Sequence, residues 1–285
     1  MNRKAIGLLV GVALISSVCI ARVAGAQGVN PDLARATDLL GQNKYGDALP
    51  LLEKVVAQDG TEQAFLLYGN ALQHEKQGDK ALKVYQDGAA RHPLSARLWN
   101  AIGLFHEHKF DLTNAVSAYR RAFALDASVT ATAGGRYDPE FDAVYIPVVH
   151  DHRGANACAG RIYVLGDKLH YVVYHVVSGA GLGNDDSFET PFTNIAEIEV
   201  DRKKGAQAFD YSIITLITNQ SALRRRISSG DEARIDLKLT FGSPIHGYRG
   251  GSWTKAELKF FFVEPESGEQ LLKYLEAHNV KSVVR

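Results

Sequence analysis

His150-Asp151-His152 and Cys158 are the residues of this chain whose types and spacing best suit a metal. Residues two apart on a strand share a face, so both imidazoles could meet one ion, with Cys158 or His246 completing the set. Asp151 would point away. Zinc sites carry four ligands as a rule, and structural hydrogen bonding by the same residues is the competing reading. Gly179-Ala180-Gly181-Leu182-Gly183 has the glycines of a phosphate loop. A phosphate loop leads from a strand into a helix, and this one leads towards another strand, so it reads as a long hairpin loop. Arg224-Arg225-Arg226, with Arg202-Lys203-Lys204 before it, lacks interleaved aromatics and reads as a solvated face. The sequence holds no Gly-x-Ser-x-Gly elbow, no Asp-Ser/Thr-Gly loop and no His-Glu-x-x-His helix. A non-enzymatic chain without a cofactor is expected. The alternative is a metal-binding protein or metal-dependent envelope enzyme built on His150, His152 and Cys158.

These residues sit in a chain of 285 residues, 46% hydrophobic and 22% charged, which suits one large or two modest folded domains and excludes disorder. Lys+Arg and Asp+Glu both number 32, so no electrostatic case for nucleic acid exists. Residues 1–26 read as a signal peptide: Arg3 and Lys4, the apolar run Ala5–Ala21, then Ala24-Gly25-Ala26 before Gln27. Its removal would take Arg3, Lys4 and Arg22 and no acid, leaving a slightly acidic chain whose single cysteine, Cys158, has no internal partner. Export to the periplasm or the exterior is expected, with a retained membrane anchor as the runner-up.

The first half repeats itself. Ala48, Ala81 and Ala115 are spaced by 33 and 34 residues, each opening the second helix of a pair. Ala36, Gly69 and Gly103 stand twelve residues before them, where a small residue lets two helices approach, and Phe65 and Trp99 supply large apolar plugs. Tyr68-Gly69, Ala81, Tyr85, Gly88 and Pro93, then Trp99-x-x-Ile102-Gly103, Ala115, Tyr119 and Ala122, resemble tetratricopeptide repeats. The resemblance covers 29–128, in copies of about 29–61, 62–95 and 96–128. It implies an α-solenoid whose first helices line a concave groove. On that alignment the groove is lined by Leu33, Thr37 and Leu40, then Gln63, Leu66, Asn70, Gln73 and His74, then Arg97, Asn100, Leu104, Glu107 and His108. Asn70 and Asn100 suit the backbone of an extended peptide, and His74 and His108 occupy equivalent positions. The lysines with which members of the family grip a C-terminal carboxylate are missing. A protein or peptide partner in the cell envelope is expected; the competing use of the groove is to hold the second half of the same chain.

From Val129 the periodicity falls from about 3.6 to 2. Thr130–Gly135 reads as a small-residue hinge within a linker over 129–140, and 141–285 as a β domain. Strands are expected over Phe141–Val149, Gly160–Leu165, Leu169–Val177, Ile195–Val200, Phe209–Thr218, Arg234–Phe241 and Leu258–Val263. Ser267-x-x-Gln270 reads as a capping box opening a last helix over 267–278. About seven antiparallel strands and a closing helix resemble the pleckstrin-homology-like and GRAM-like barrel. The fold class is thus α + β in two domains, an α-solenoid followed by a small antiparallel barrel. Arg161 and Lys168 are too few for a phosphoinositide site.

Overall fold

The computed structural model describes residues 30–151, 157–176, 187–204, 233–247, 254–262 and 264–284. The signal-like segment, His152, the 179–183 glycines, the 209–218 strand and Arg224–Arg226 lie outside the described residues. Six helices form three antiparallel pairs: α1 (Pro31–Gly41) with α2 (Tyr45–Gln58), α3 (Glu62–His74) with α4 (Gly78–Arg91), and α5 (Ala96–His108) with α6 (Leu112–Leu125). Each first helix starts on a side-chain cap. Asn30 accepts from the Asp32 amide at 2.9 Å, Thr61 from Ala64 at 3.3 Å and Ser95 from Leu98 at 3.1 Å, which satisfies an otherwise orphaned donor. Each turn between paired helices closes on a left-handed residue, at Asn43 (φ 58°), Lys76 (φ 58°) and Phe110 (φ 56°).

The spacing of small residue and tyrosine is a packing device. A Cβ on Gly69 would stand 2.2 Å from the Tyr85 ring, and one on Gly103 would stand 2.5 Å from Tyr119. Each tyrosine lies flat on the glycine of the facing helix. Phe65, Leu72, Leu98 and Ile102 fill the core around the first of these contacts.

The stretch expected to be a hinge is structured. A short helix, α7 (Ala127–Thr132), follows α6, and Val129 and Thr130 are buried. Thr130 stands 34 residues after Ala96, so α7 takes the place where a fourth repeat would begin. It caps the solenoid, as terminal repeats must.

The second half is a sheet of nine strands: β1 (Tyr137–Asp138), β2 (Ala143–Asp151), β3 (Ala157–Leu165), β4 (Lys168–Val176), β5 (Phe188–Pro191), β6 (Ile195–Lys204), β7 (Ala233–His246), β8 (Thr254–Phe262) and β9 (Ser282–Val284). Their order is β5-β4-β3-β2-β8-β7-β6-β9, with β1 beside β2. Two meanders, β2–β5 and β6–β8, join where β2 pairs with β8, and β9 runs parallel to β6. Alternating Ile235, Leu237 and Leu239 point into one core with Phe260, Phe262, Leu271 and Leu275. The last two lie on α8 (Pro265–Ala277).

The expected barrel does not close. Pro191 lacks an amide proton, and a 3-10 turn over Phe192–Asn194 ends β5 before it can pair with β7. The Asn194 side chain bridges the gap instead. Its Oδ1 accepts from the Ser243 amide at 2.8 Å and its Nδ2 donates to the Ser243 carbonyl at 3.0 Å. One amide stands in for a missing rung of the ladder.

Candidate functional site

The predicted groove residues divide into an open set and a covered set. Gln63, Asn70, His74, Arg97 and His108 are exposed, and Leu66, Gln73 and Leu104 are half-buried. Arg97 lies 3.9 Å from Glu62 at the surface, and His74 stacks on Tyr45 with ring centroids 3.9 Å apart. His74 and His108 therefore face different neighbours. Asn100 and Glu107 are covered. Asn100 is 2% exposed, and its Oδ1 has no hydrogen-bond partner. A Cβ on Gly135 would stand 2.9 Å from that oxygen, so the chain's own capping segment lies over it.

Glu107 is the hinge point of a buried charge network. Its Oε2 accepts from the Tyr119 hydroxyl at 2.6 Å and from the Arg136 amide at 3.2 Å. Its Oε1 pairs with Arg136 Nε at 3.5 Å. The same guanidinium pairs with Glu264 at the start of α8 and donates to Ser267 Oγ at 3.0 Å. Burial pushes the Glu107 carboxyl above its ordinary range, against the opposing pull of Arg136. The Tyr119 hydroxyl is driven well above its ordinary value by burial and then by Glu107.

Ser267 and Gln270 are not a capping box. The N-cap of α8 is Glu264, and its side chain bonds no end amide of the helix. Ser267 takes Arg136, and Gln270 donates to the His108 carbonyl at 2.8 Å. Both tie the sheet to the solenoid. Phe110 against Tyr274, with centroids 5.5 Å apart, and Tyr137 against Phe123, at 5.9 Å, complete the seam. Between the halves lies a cleft of about 450 Å³, bounded by Glu107, His108, Phe110, Leu112, Arg136, Tyr145, Ile146, Glu264 and Glu266. Sequence reasoning missed Arg136 and Glu264. The one available signal was a lone arginine in an otherwise uncharged stretch, Val129–Tyr137.

Of the metal candidates, His150 and Cys158 face each other across β2 and β3, with Nδ1 and Sγ 3.6 Å apart. Cys158 Sγ is also 3.0 Å from the Tyr171 hydroxyl, and all three side chains are buried. His246 is exposed at the end of β7. Among the described residues, no three His, Cys, Asp or Glu side chains come together as a metal-holding group. None of the described helices is long and apolar enough to cross a membrane.

Helix pairs with this glycine–tyrosine packing, ending on a sheet, define a tetratricopeptide-like helical repeat region joined to a C-terminal sheet. The tetratricopeptide repeat family model matches residues 39–104, from the end of α1 through most of α5. The probable UDP-N-acetylglucosamine–peptide N-acetylglucosaminyltransferase SPINDLY of Arabidopsis thaliana is 29% identical over 105 residues, which are 36% of this chain and 12% of that protein. The chain thus spans about an eighth of that relative's length. PcrH from Pseudomonas aeruginosa is similar over 39% of this chain and 94% of its own, at 24% identity and a TM-score of 0.34. The Yersinia enterocolitica type III secretion chaperone SycD, in complex with a peptide of the translocator YopD, is similar over 36% of this chain and 81% of its own. There the identity is 23% and the TM-score 0.34.

Proposed function

We propose that this chain is a non-catalytic scaffold or adaptor whose concave helical face binds an extended protein segment. One observation carries the reading. The groove positions of the second repeat and the start of the third, Gln63, Asn70 and Arg97, stand open beside half-buried Leu66 and Leu104, while the end of the solenoid is already capped. Amides suit a partner's backbone, the leucines an apolar side chain and Arg97 a carboxylate. A preformed wall leaves most of the ordering cost to the ligand. The sheet adds a second surface.

The binding face is tested by selecting peptides from a random displayed library on the immobilised full chain. Bound peptides should lose about tenfold or more in affinity to a Gln63→Ala/Asn70→Ala variant, the loss of one or two buried hydrogen bonds. Peptides that bind both proteins equally would sink the groove as the site. We further place the protein in the cell envelope, on the charged, apolar and small-residue order of residues 1–26. Sequencing of the exported product should begin near Gln27; a product starting at Met1 in the membrane would contradict that.

A further inference from the structure

The cleft between the halves carries more negative charge than its own arginine offsets. Glu107 and Glu264 have side chains 9% and 12% exposed, and both turn to the single guanidinium of Arg136. Two carboxylates against one cation leave a buried excess of negative charge, which is costly unless a further cation approaches. The unspent acceptors are specific atoms. Glu107 Oε1 makes no hydrogen bond, only the 3.5 Å ion pair, and Glu264 Oε1 has no partner among the described residues. Glu266, exposed at the rim of the same cleft, adds a third carboxylate with no partner among the described residues. The opposite wall is apolar, formed by Phe110, Leu112 and Ile146. A volume of about 450 Å³ is within the range of small-ligand sites.

We propose that this cleft binds a primary ammonium group carried on an apolar stem. The stem lies against Phe110, Leu112 and Ile146, and the ammonium donates to Glu107 Oε1 and Glu264 Oε1 under the field of Glu266. An ammonium fits better than a second guanidinium, because Arg136 already fills the planar fork between the two acids and a compact three-donor head needs less room. The proposal is independent of the concave groove. Either a lysine side chain of a partner or a free alkylamine has this chemistry.

Calorimetric titration of the full chain with n-hexylamine, with 1-hexanol and with N-acetyl-lysine methylamide tests it. Hexylamine should bind about tenfold or more tightly than hexanol, the margin of a charged over a neutral hydrogen bond. Comparable binding of the lysine derivative identifies a side chain as the natural occupant, and binding of hexylamine alone identifies a free amine. The rim variant Glu266→Gln, which disturbs no buried pair, should weaken hexylamine severalfold and leave hexanol unchanged. Equal affinity for amine and alcohol, no heat from either amine, or full hexylamine affinity in Glu266→Gln would each overturn the site. The Asn70→Ala variant should bind hexylamine as the parent does, which separates failure here from failure of the groove.

Discussion

Repeats two and three are built on one plan and put to different uses. In both, a tyrosine of the second helix lies on a glycine of the first and reaches the same groove position with its hydroxyl. Tyr85 donates to Gln73 Oε1 at 3.1 Å, and Tyr119 donates to Glu107 Oε2 at 2.6 Å. Gln73 is half-buried on an open face, whereas Glu107 is buried and holds Arg136. A single exchange of amide for carboxylate, 34 residues on, turns a groove position into a dock for the other half of the chain. The scaffold is indifferent to the change because the tyrosine donates equally well to either acceptor.

The largest way to break this difference is to remove the cation. Arg136→Ala leaves Glu107 and Glu264 buried without a partner, and breaking such a pair costs about 3–5 kcal/mol. Urea unfolding of the full chain should show that loss, with the sheet melting apart from the helical half. A cost under 1 kcal/mol would mean that the seam does not depend on this charge. Removing the hydroxyls is the finer cut. Tyr119→Phe loses a bond to a buried carboxylate, worth about 1.5–3 kcal/mol, and Tyr85→Phe a neutral one, worth about 0.5–1.5 kcal/mol. Equal losses would contradict the contrast between the repeats.

The carboxylate also gives repeat three a dependence on pH that repeat two lacks. Burial holds the Glu107 carboxyl above its unfolded value, so the folded chain binds this proton more tightly than the unfolded chain does. Its contribution is therefore fully present below the ordinary carboxylate range and is lost as pH rises through the folded value. Urea midpoints measured from pH 4 upward should fall less steeply with pH in Glu107→Gln than in the parent. Parallel curves would show that Glu107 titrates alike in both states.

Much of this plan was legible in the residues. The 33- and 34-residue spacings locate the three helix pairs, because a small residue and an aromatic partner must recur wherever two helices touch. Alternation located six of the nine described strands within a few residues, and five leucines and aromatics marked the face of α8. The seam was not legible. Arg136 meets Glu264 across 128 residues of sequence, and no local pattern records a contact of that range. Ser267 and Gln270 matched a local rule and were recruited by a distant one. The open edge of the sheet depended on Pro191 and on one asparagine side chain, whose partner lies 49 residues away. Asn100 was placed in the groove by repeat logic, which holds for interior repeats; the cap that covers it belongs to the last one.

The smallest test compares the two left-handed turn residues. Lys76 and Phe110 hold the same turn, with φ of 58° and 56°, in successive repeats. A side chain in that conformation costs about 1–2 kcal/mol that glycine does not incur. Lys76 is exposed and has no hydrogen-bonding or ionic partner through its side chain, so Lys76→Gly relieves the strain and loses nothing else from the folded state. Glycine's greater freedom in the unfolded chain takes back part of the gain, roughly 0.5–1 kcal/mol. The variant should come out level with the parent or slightly more stable. Phe110 packs on Tyr274 of α8, and losing a half-buried aromatic outweighs the same relief, since full burial of such a side chain is worth about 1.5–3 kcal/mol. Phe110→Gly should therefore lower the urea midpoint. The two substitutions are identical in local backbone effect, so the difference between them isolates what the sheet gains from the third repeat. If Phe110→Gly is no worse than Lys76→Gly, the aromatic contact across the seam contributes nothing, and the charge network alone joins the halves.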